Sequence, residues 1–301
     1  MRCFKCLKSL EKEQVHGLHK ECFFEWFGTE VQFSLTMKTA GNSEDPFAHL
    51  NSSFFHGKFK KYSARLGGSG YLVKVRQEPY RDLPAMEFLC NQIARILKLP
   101  VPDFYLIKLE GHSEAFISKN FMEQYADANL VHLYRFMEEK SFNLKNVMEV
   151  ISRQTGDLLG IEQFIRLCLF DMLIGNHDRH GRNLALVHTP KRKFLAPFYD
   201  NPSSLGMEEE WLLKAILEPC GKIHTTTSSE PKMQEYVTDF YQFGYSSVVS
   251  EFLLSIDLSV IKDKISNSFI SNMRKQAFWN LVLRRYQELK KAVEMYELPH
   301  R

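Results

Sequence analysis

The sequence predicts an α+β protein of two lobes, the first built on an antiparallel sheet and the second mostly helical. Up to about residue 119, short segments alternate apolar and polar residues with the period of two that β-strands require, and glycines separate them. Long runs after residue 142 carry apolar residues at helical spacing and few prolines or glycines. With 301 residues and 44% hydrophobic content, the chain can bury a substantial core.

The predicted elements follow from this periodicity and from the turn residues between them. Pro100 and Pro102 end the first long helix, because proline cannot continue one. The elements of the first lobe are strands 61–66 and 71–75, helix 85–97, and strands 104–108 and 114–119. The helical runs of the second lobe are 142–153, 161–172, 233–254 and 269–297. We expect the lobes to comprise residues 1–122 and 123–301.

Composition and charge argue against several classes of protein. The net charge of +3 and the pI of about 8.4 are too mild for nucleic acid as the main partner. No apolar run of about 18 residues is present, and the first residues lack the apolar core of a signal peptide. Six cysteines in 301 residues do not make a disulfide scaffold. We therefore expect a cytoplasmic protein that contacts neither a membrane nor nucleic acid directly.

A module containing cysteine and histidine occupies residues 1–28. Its Cys3-x2-Cys6 and His19-x2-Cys22 pairs are joined by a connector of twelve residues, a spacing that fits tetrahedral zinc ligation. Such a zinc ion would be structural, since four protein ligands leave no open position for a substrate. In the alternative interpretation these are small buried residues of a minor subdomain.

A dense cluster of polar residues lies between two apolar segments. Asp178 precedes Asn183 by five residues, the spacing of the catalytic aspartate and the metal-binding asparagine in kinase catalytic loops. Asp200 follows a short apolar approach, where a second metal carboxylate would belong. Asp178 would accept or orient the proton of an attacking hydroxyl, and Asn183 and Asp200 would bind Mg²⁺ through oxygen. Alternatively, these residues cap a helix end or a turn.

One lysine and one glutamate in the first lobe extend this pattern. Lys74 interrupts a short apolar strand, and Glu87 follows thirteen residues later near the start of the predicted helix. A strand lysine paired with a helix glutamate is the arrangement that orients a kinase lysine toward the phosphates of ATP. The alternative is that Lys74 protects a sheet edge, or that both are solvated surface charges. Together with Asp178 and Asp200, the pair favours phosphoryl transfer.

The remaining basic residues of the loop are expected to bind phosphate or to hold the loop itself. Arg179, His180 and Arg182 are candidates for this role, and for His180 a structural role fits equally well. Two glycine-containing segments compete as the nucleotide loop. Residues 67–70 lie so close before Lys74 that a hairpin turn is the better interpretation. The phosphate-covering loop then falls around Gly57, although neither segment matches the P-loop pattern.

Four blocks between about residues 51 and 206 resemble the HipA-like serine/threonine kinases, which are toxins of bacterial toxin–antitoxin modules. The blocks are LPAME at 83–87, ARILKLPVP at 94–102, GNHDRHGRN at 175–183 and LAPFYD at 195–200. The Cys/His opening, followed by Phe27 and Gly28, also looks like the start of the shorter members. With only about fifty residues ahead of the Gly57 loop, the chain is most similar to the shorter HipT branch.

The resemblance implies a two-lobed protein-kinase-like fold and a reaction that uses ATP and Mg²⁺. It implies a protein substrate, an aminoacyl-tRNA synthetase, with the tryptophanyl enzyme favoured by the likeness to HipT. It also implies partners resembling the small protein HipS and the DNA-binding protein HipB. By the same resemblance, the ATP-binding residues are Gly57, Lys61, Lys74, Glu87, His180 and Asn183.

The nucleotide loop departs from the family pattern, in which a serine begins the loop and is autophosphorylated. Gly57 and Lys61 match the pattern, but Phe54 stands at the serine position and Phe59 at the glutamine position. Ser52 and Ser53 lie beside the expected site and are the candidates for autophosphorylation. Two other functions stay open: a small-molecule or phosphatidylinositol-type kinase, whose loop is similar to residues 178–183, and a pseudokinase-like binding module.

Overall fold

A four-stranded antiparallel sheet carries the first part of the fold. The computed structural model describes residues 1–10, 14–30, 61–78, 80–109, 114–138 and 141–297. The strands are β1 (Lys61–Leu66), β2 (Ser69–Val75), β3 (Phe104–Lys108) and β4 (Glu114–Lys119). They pair in the order β1-β2-β4-β3, so β3 lies at one edge of this sheet.

The hairpin between β1 and β2 places two lysines side by side. Gly67 and Gly68 have φ angles of 56° and 83°, the left-handed conformations that a tight hairpin turn uses. In the resulting register Lys61 lies directly opposite Lys74, and Phe116 of β4 lies opposite Lys74 on its other side. Opposed residues of an antiparallel pair point to the same face of the sheet. Both lysines and the phenylalanine ring therefore share one face.

Helix α2 (Leu83–Ile96) follows β2 and packs on β3 and β4, while α1 (Lys20–Phe27) belongs to the N-terminal module. Helix α2 begins two residues earlier than predicted, because Pro84 occupies its first turn, where a missing amide hydrogen costs nothing. Nearly all of its side chains are buried, and Glu87 is only 2% exposed. A charge that is buried so deeply requires a partner.

The described residues from 123 onward form a helical region with a small sheet. The helices are α3 (Leu144–Thr155), α4 (Leu158–Ile174), α5 (Met233–Gln242), α6 (Ser246–Leu254), α7 (Leu258–Asn267) and α8 (Asn272–Glu297). The antiparallel strands are β5 (Asn129–His132), β6 (Ala185–His188) and β7 (Lys193–Leu195), paired in the order β5-β6-β7. The expected α+β class is confirmed, whereas the boundary between residues 122 and 123 stays a prediction.

Helix α4 is the central element of the helical region. Every side chain in its second half is buried except Arg166, and it packs against α3, α5, α6 and α8. A helical segment whose side chains are buried on nearly every side lies in the middle of a core. Gly175, at φ 69°, ends the helix in the left-handed conformation and turns the chain into the loop that carries Asp178. The packing of α4 therefore fixes where this loop begins.

One predicted helix is wrong, and two of the described helices, α1 and α7, were not predicted. The expected helix 233–254 is two helices, α5 and α6, because Gly244 adopts φ 84° and the amide of Tyr245 turns back to the carbonyl of Phe240. Helix α7 follows, capped by the Asp257 carboxylate, which accepts from the amides of Ser259 and Val260. None of the described helices combines the length and the apolar character needed to cross a membrane.

Candidate functional site

A cleft of about 420 Å³, open mouth included, lies over the face of the first sheet that carries the two lysines. Its polar lining includes Lys61, Lys74, Glu87 and Asp200, and its apolar walls are formed by residues such as Leu72, Pro102, Phe104 and Phe116. Apolar walls that surround a few polar groups are the usual composition of a small-molecule site.

Lys74 and Glu87 form an ion pair on one side of the cleft. The Lys74 Nζ atom lies 2.6 and 2.7 Å from the two carboxylate oxygens of Glu87. The lysine is placed by the β2 register and the glutamate by the packing of α2, so two rigid elements hold the pair. The spacing of thirteen residues thus brings the two side chains together as the sequence predicted.

Asp200 lies beside this pair and accepts hydrogen bonds from two ammonium groups. Lys74 donates to Oδ1, and Lys61 donates to Oδ2 at 2.8 Å. Burial raises the pKa of Asp200, but Lys61 and Lys74 outweigh burial and bring that pKa well below its usual range. Burial likewise lowers the pKa of Lys74, but Asp200 and Glu87 outweigh burial and raise that pKa. Both shifts favour the charged forms of Asp200 and Lys74.

The backbone of Asp200 is in an unfavourable conformation. Its φ angle is 54°, in the left-handed region that residues other than glycine seldom adopt. Such strain costs on the order of 1–3 kcal/mol and is found preferentially at functional sites, where the surroundings enforce it. Here the enforcing contacts come from both neighbours of Asp200: the Tyr199 carbonyl and the Asn201 side chain both accept from Arg179.

Arg179 joins the Asp178 loop to the segment around Asp200. Its side chain is 1% exposed and makes a two-point ion pair with Asp171 of α4, at 2.7 and 2.9 Å. It also donates to the Tyr199 carbonyl at 2.9 Å and to Asn201 Oδ1 at 2.7 Å. Of the two roles expected for Arg179, holding the loop or holding a substrate phosphate, the structure supports the first, because its donors are already occupied.

Buried amides continue this network into the first lobe. Asn201 Nδ2 donates to Asn91 Oδ1 at 3.1 Å, and Asn91 Nδ2 donates to the carbonyl of Glu87 at 2.8 Å. A continuous chain of hydrogen bonds therefore runs from α4 through the loop to α2. Sequence reasoning missed Asp171, although an acidic residue in the strongly apolar second half of α4 signals a buried ion pair.

Asp178 is on the exposed side of the loop. Its side chain is 64% exposed, and His180 Nε2 lies 3.9 Å from its Oδ1 atom. The capping role considered for Asp178 is filled by Asn176, whose Oδ1 atom accepts from the Asp178 amide at 3.1 Å. Asn183 donates through Nδ2 to the Asp178 carbonyl at 2.9 Å, so the two candidates are held together. Asp178, His180 and Asn183 lie on this loop and do not line the cleft itself.

Two further groups of residues were predicted from the sequence. Gly57, Ser52 and Ser53 lie outside the described residues. The four candidate zinc ligands, by contrast, come together: one donor atom from each of Cys3, Cys6, His19 and Cys22 lies within 4.8 Å of all the others.

The chain is similar to kinase-related proteins over most of its length. The family model described as the HipA-like C-terminal domain matches residues 40–256. The chain belongs to this family. Its fold is similar to that of the Helicobacter pylori proinflammatory kinase CtkA, with a TM-score of 0.66 and 19% identity, covering 78% of this chain and 95% of CtkA. The HipA–HipB–operator DNA complex of Shewanella oneidensis MR-1 also matches, with a TM-score of 0.54 and 14% identity, covering 80% of this chain and 64% of the other.

A sequence relative also carries the name of a kinase. Y4dM of Sinorhizobium fredii is 27% identical over 158 residues, which is 46% of this chain and 38% of Y4dM. The match thus spans well under half of the relative's length. These findings confirm the HipA-like resemblance and the kinase-like fold. The assignment to the shorter HipT branch stays a prediction.

Proposed function

We propose that this HipA-like protein is a kinase that transfers the γ-phosphoryl group of ATP to a serine or threonine hydroxyl. The observation that carries the proposal is the group formed by Lys74, Glu87 and Asp200 in one cleft, with Asp178 on a loop bonded to both neighbours of Asp200. Phosphoryl transfer depends on positioning and on charge stabilisation, which such a group of fixed charges supplies.

In this proposal the first lobe binds the nucleotide. Lys74 holds the phosphates, and Glu87 keeps the lysine in position. Lys61, on the same face, adds a second positive charge toward the phosphates. The apolar walls at Leu72 and Phe116 cover the base. Gly57 belongs to the loop that covers the phosphates, and His180 contacts the nucleotide from the catalytic loop.

Asn183 and Asp200 would hold Mg²⁺. Both offer oxygen, the ligand that this ion prefers, and the lowered pKa of Asp200 keeps its carboxylate ionised. Bound there, the ion would neutralise charge on the phosphates. Asp178, whose side chain is exposed on its loop, orients the incoming hydroxyl and accepts its proton.

The HipA-like family supports the proposal of a substrate class. We propose a protein substrate, an aminoacyl-tRNA synthetase with the tryptophanyl type favoured, so that the reaction inhibits translation and the chain acts as a toxin. The solved complex of a HipA protein with HipB supports a search for a HipB-like partner encoded beside this chain. The proposal of a HipS-like partner rests on the resemblance to the HipT branch. Ser52 and Ser53 are the proposed autophosphorylation sites.

The test is transfer of label from γ-labelled ATP to lysate proteins, with phosphoserine and phosphothreonine identified by mass spectrometry. Asp178→Asn should lower the rate by about 10²–10⁴-fold, the contribution of a positioned acid–base group. Asp200→Asn should also lower the rate strongly, because it removes a proposed ligand of Mg²⁺. Asp263→Asn, at an exposed position of α7, is the matched control and should retain full activity. Wild-type rates in both site variants would refute the proposal. Label on a lipid or sugar alone would favour the small-molecule kinase.

A further inference from the structure

The N-terminal module is built around four converging metal-binding side chains. His19 Nδ1 lies 3.4 Å from Cys6 Sγ and 3.9 Å from Cys22 Sγ. Zinc bonds of about 2.3 Å to sulfur and about 2.0 Å to nitrogen, at tetrahedral angles, place such atoms about 3.6 Å apart. Cys3 completes the set, within 4.8 Å of the other donors. The spacing of the donor atoms therefore fits one tetrahedral ion.

A hydrogen bond to the other ring nitrogen of His19 orients this side chain as a ligand. Its Nε2 atom lies 3.0 Å from the carbonyl oxygen of Ser9. A carbonyl can only accept, so Nε2 carries the hydrogen and Nδ1 of the neutral ring presents its lone pair to the sulfur atoms. Histidine ligands of zinc are held by this kind of bond through their other nitrogen.

The backbone of the module requires an additional source of stability. Leu7 and His16 adopt φ angles of 64° and 53°, conformations that residues other than glycine seldom take. Few large apolar side chains are buried within the module itself, among them Phe4, Leu18 and Phe23. Segments this small usually need a metal or disulfides to hold one structure, and all six cysteines are free thiols.

The same module contacts three separate parts of the kinase-like fold. On the edge strand β3, the Lys108 amide donates to the His16 carbonyl at 2.8 Å, and His16 Nδ1 donates to the Lys108 carbonyl at 2.8 Å. The Trp26 ring of α1 lies 6.4 Å from the Phe88 ring, next to Glu87 on α2. On the helical region, Phe4 packs edge-on against Phe269 with ring centroids 4.8 Å apart.

We propose that Cys3, Cys6, His19 and Cys22 bind one structural Zn²⁺, and that the metal fixes residues 1–28 as a clamp on β3, α2 and the segment at Phe269. Zinc replaces the protons of the three thiols, which pass to the buffer, and no electron is transferred. The clamp packs against α2, the helix that carries Glu87. It therefore stabilises the position of the Lys74–Glu87 pair from outside the cleft.

Metal content tests the site without any nucleotide or activity. The purified chain should contain one zinc per molecule, and cobalt in its place should give the strong visible absorption of a tetrahedral thiolate site. Cys22→Ser should lose the metal, whereas Cys220→Ser, a half-buried thiol outside the cluster, should keep it. A wild-type chain without zinc, or with a disulfide among these cysteines, would overturn the site.

Hydrogen exchange tests the clamp. Removing zinc with a chelator should speed exchange of the Lys108 amide, which is bonded to the module, by about tenfold or more. The Ala196 amide, bonded to Ala185 in the second sheet, is the internal reference and should not change. Zinc loss with unchanged exchange at Lys108 would leave a metal site but overturn the clamp. Either outcome is independent of whether the chain phosphorylates protein.

Discussion

At the scale of single residues, His132 is a buried imidazole close to the Asp200 segment. It is 2% exposed, and the Tyr199 hydroxyl lies 3.1 Å from its Nδ1 atom. Burial lowers the pKa of His132 from 6.5 to about 4, because the charged form loses its hydration. Tyr199, the residue before Asp200, is therefore hydrogen-bonded to a histidine that is neutral in the folded chain.

The lowered pKa of His132 makes folding stability depend on pH in a defined direction. His132 binds a proton below about pH 6.5 in the unfolded chain, but only below about pH 4 in the folded chain. The contribution of His132 to folding stability is therefore complete above pH 6.5 and is lost as the pH falls from 6.5 to 4. Between about pH 7 and pH 5, the unfolding free energy should fall by roughly 1–2 kcal/mol through this group. Urea unfolding of the wild-type chain and of His132→Asn at pH 7 and pH 5 measures this change in unfolding free energy. Equal pH slopes for the two proteins would contradict the prediction.

At the scale of elements, the central helix α4 and the Asp178 loop are joined by one buried ion pair. Removing one partner of such a pair leaves the other charged, desolvated and alone. Arg179→Met should therefore destabilise the fold by about 3–5 kcal/mol, measured by chemical denaturation. Arg182→Met, at an exposed position of the same loop, should change stability by less than about 0.5 kcal/mol.

A double variant separates the ion pair from the other contacts of Arg179. Asp171→Asn combined with Arg179→Met removes both charges, so the loss should be clearly smaller than the sum of the two single losses. Additive losses would show that Arg179 acts through Tyr199 and Asn201 and not through Asp171.

The sequence could predict those elements whose signals are local. Helices such as α2, α3 and α4 carry their periodicity and their end signals within the segment, and the strand–helix spacing brought Lys74 to Glu87. The short strands β5, β6 and β7 were not predicted, because three or four residues carry no usable period and their pairing is distant in the chain. The helix 233–254 was predicted as continuous because one glycine inside an apolar pattern does not reveal its φ angle.

The buried hydrogen bonds around the site could not be predicted either, because their partners are distant in the sequence. Asn91 and Asn201 bond across 110 residues, and Arg179 and Asn201 across 22. Polar residues of these types are common on surfaces, and only the packing of α2 against the loop brings them together. The charged residues that face the cleft could be predicted because their spacing follows the chemistry of phosphate and metal binding.

At the scale of the whole molecule, one buried apolar cluster extends from the first sheet through α4 to α8. Because the core is shared between both parts of the fold, a ligand bound between them stabilises the chain as a unit. ATP with Mg²⁺ at a hundredfold excess over Kd should add about 2.7 kcal/mol to the unfolding free energy. For a chain of this size we expect the melting temperature to rise by about 5 °C.

Thermal melts measure this effect. They are recorded with ATP and Mg²⁺ together and with each alone, for the wild-type chain and for Asp200→Asn. The rise should require both components and should be reduced in the variant. No shift in the wild-type chain would favour the pseudokinase-like module over the kinase.

The pairing of Asp200 with Lys61 and Lys74 has a further consequence for the order of events in the cleft. The two ammonium groups and the carboxylates of Asp200 and Glu87 cancel one another, and both oxygens of Asp200 are already engaged. A cation that binds alone must displace a lysine from Asp200, so it gains little binding free energy. Under the proposed function, phosphates that bind together with the cation would take over the hydrogen bonds of the lysines and release the carboxylate. The affinities for metal and nucleotide would then be reciprocally coupled, each raising the other by the same factor.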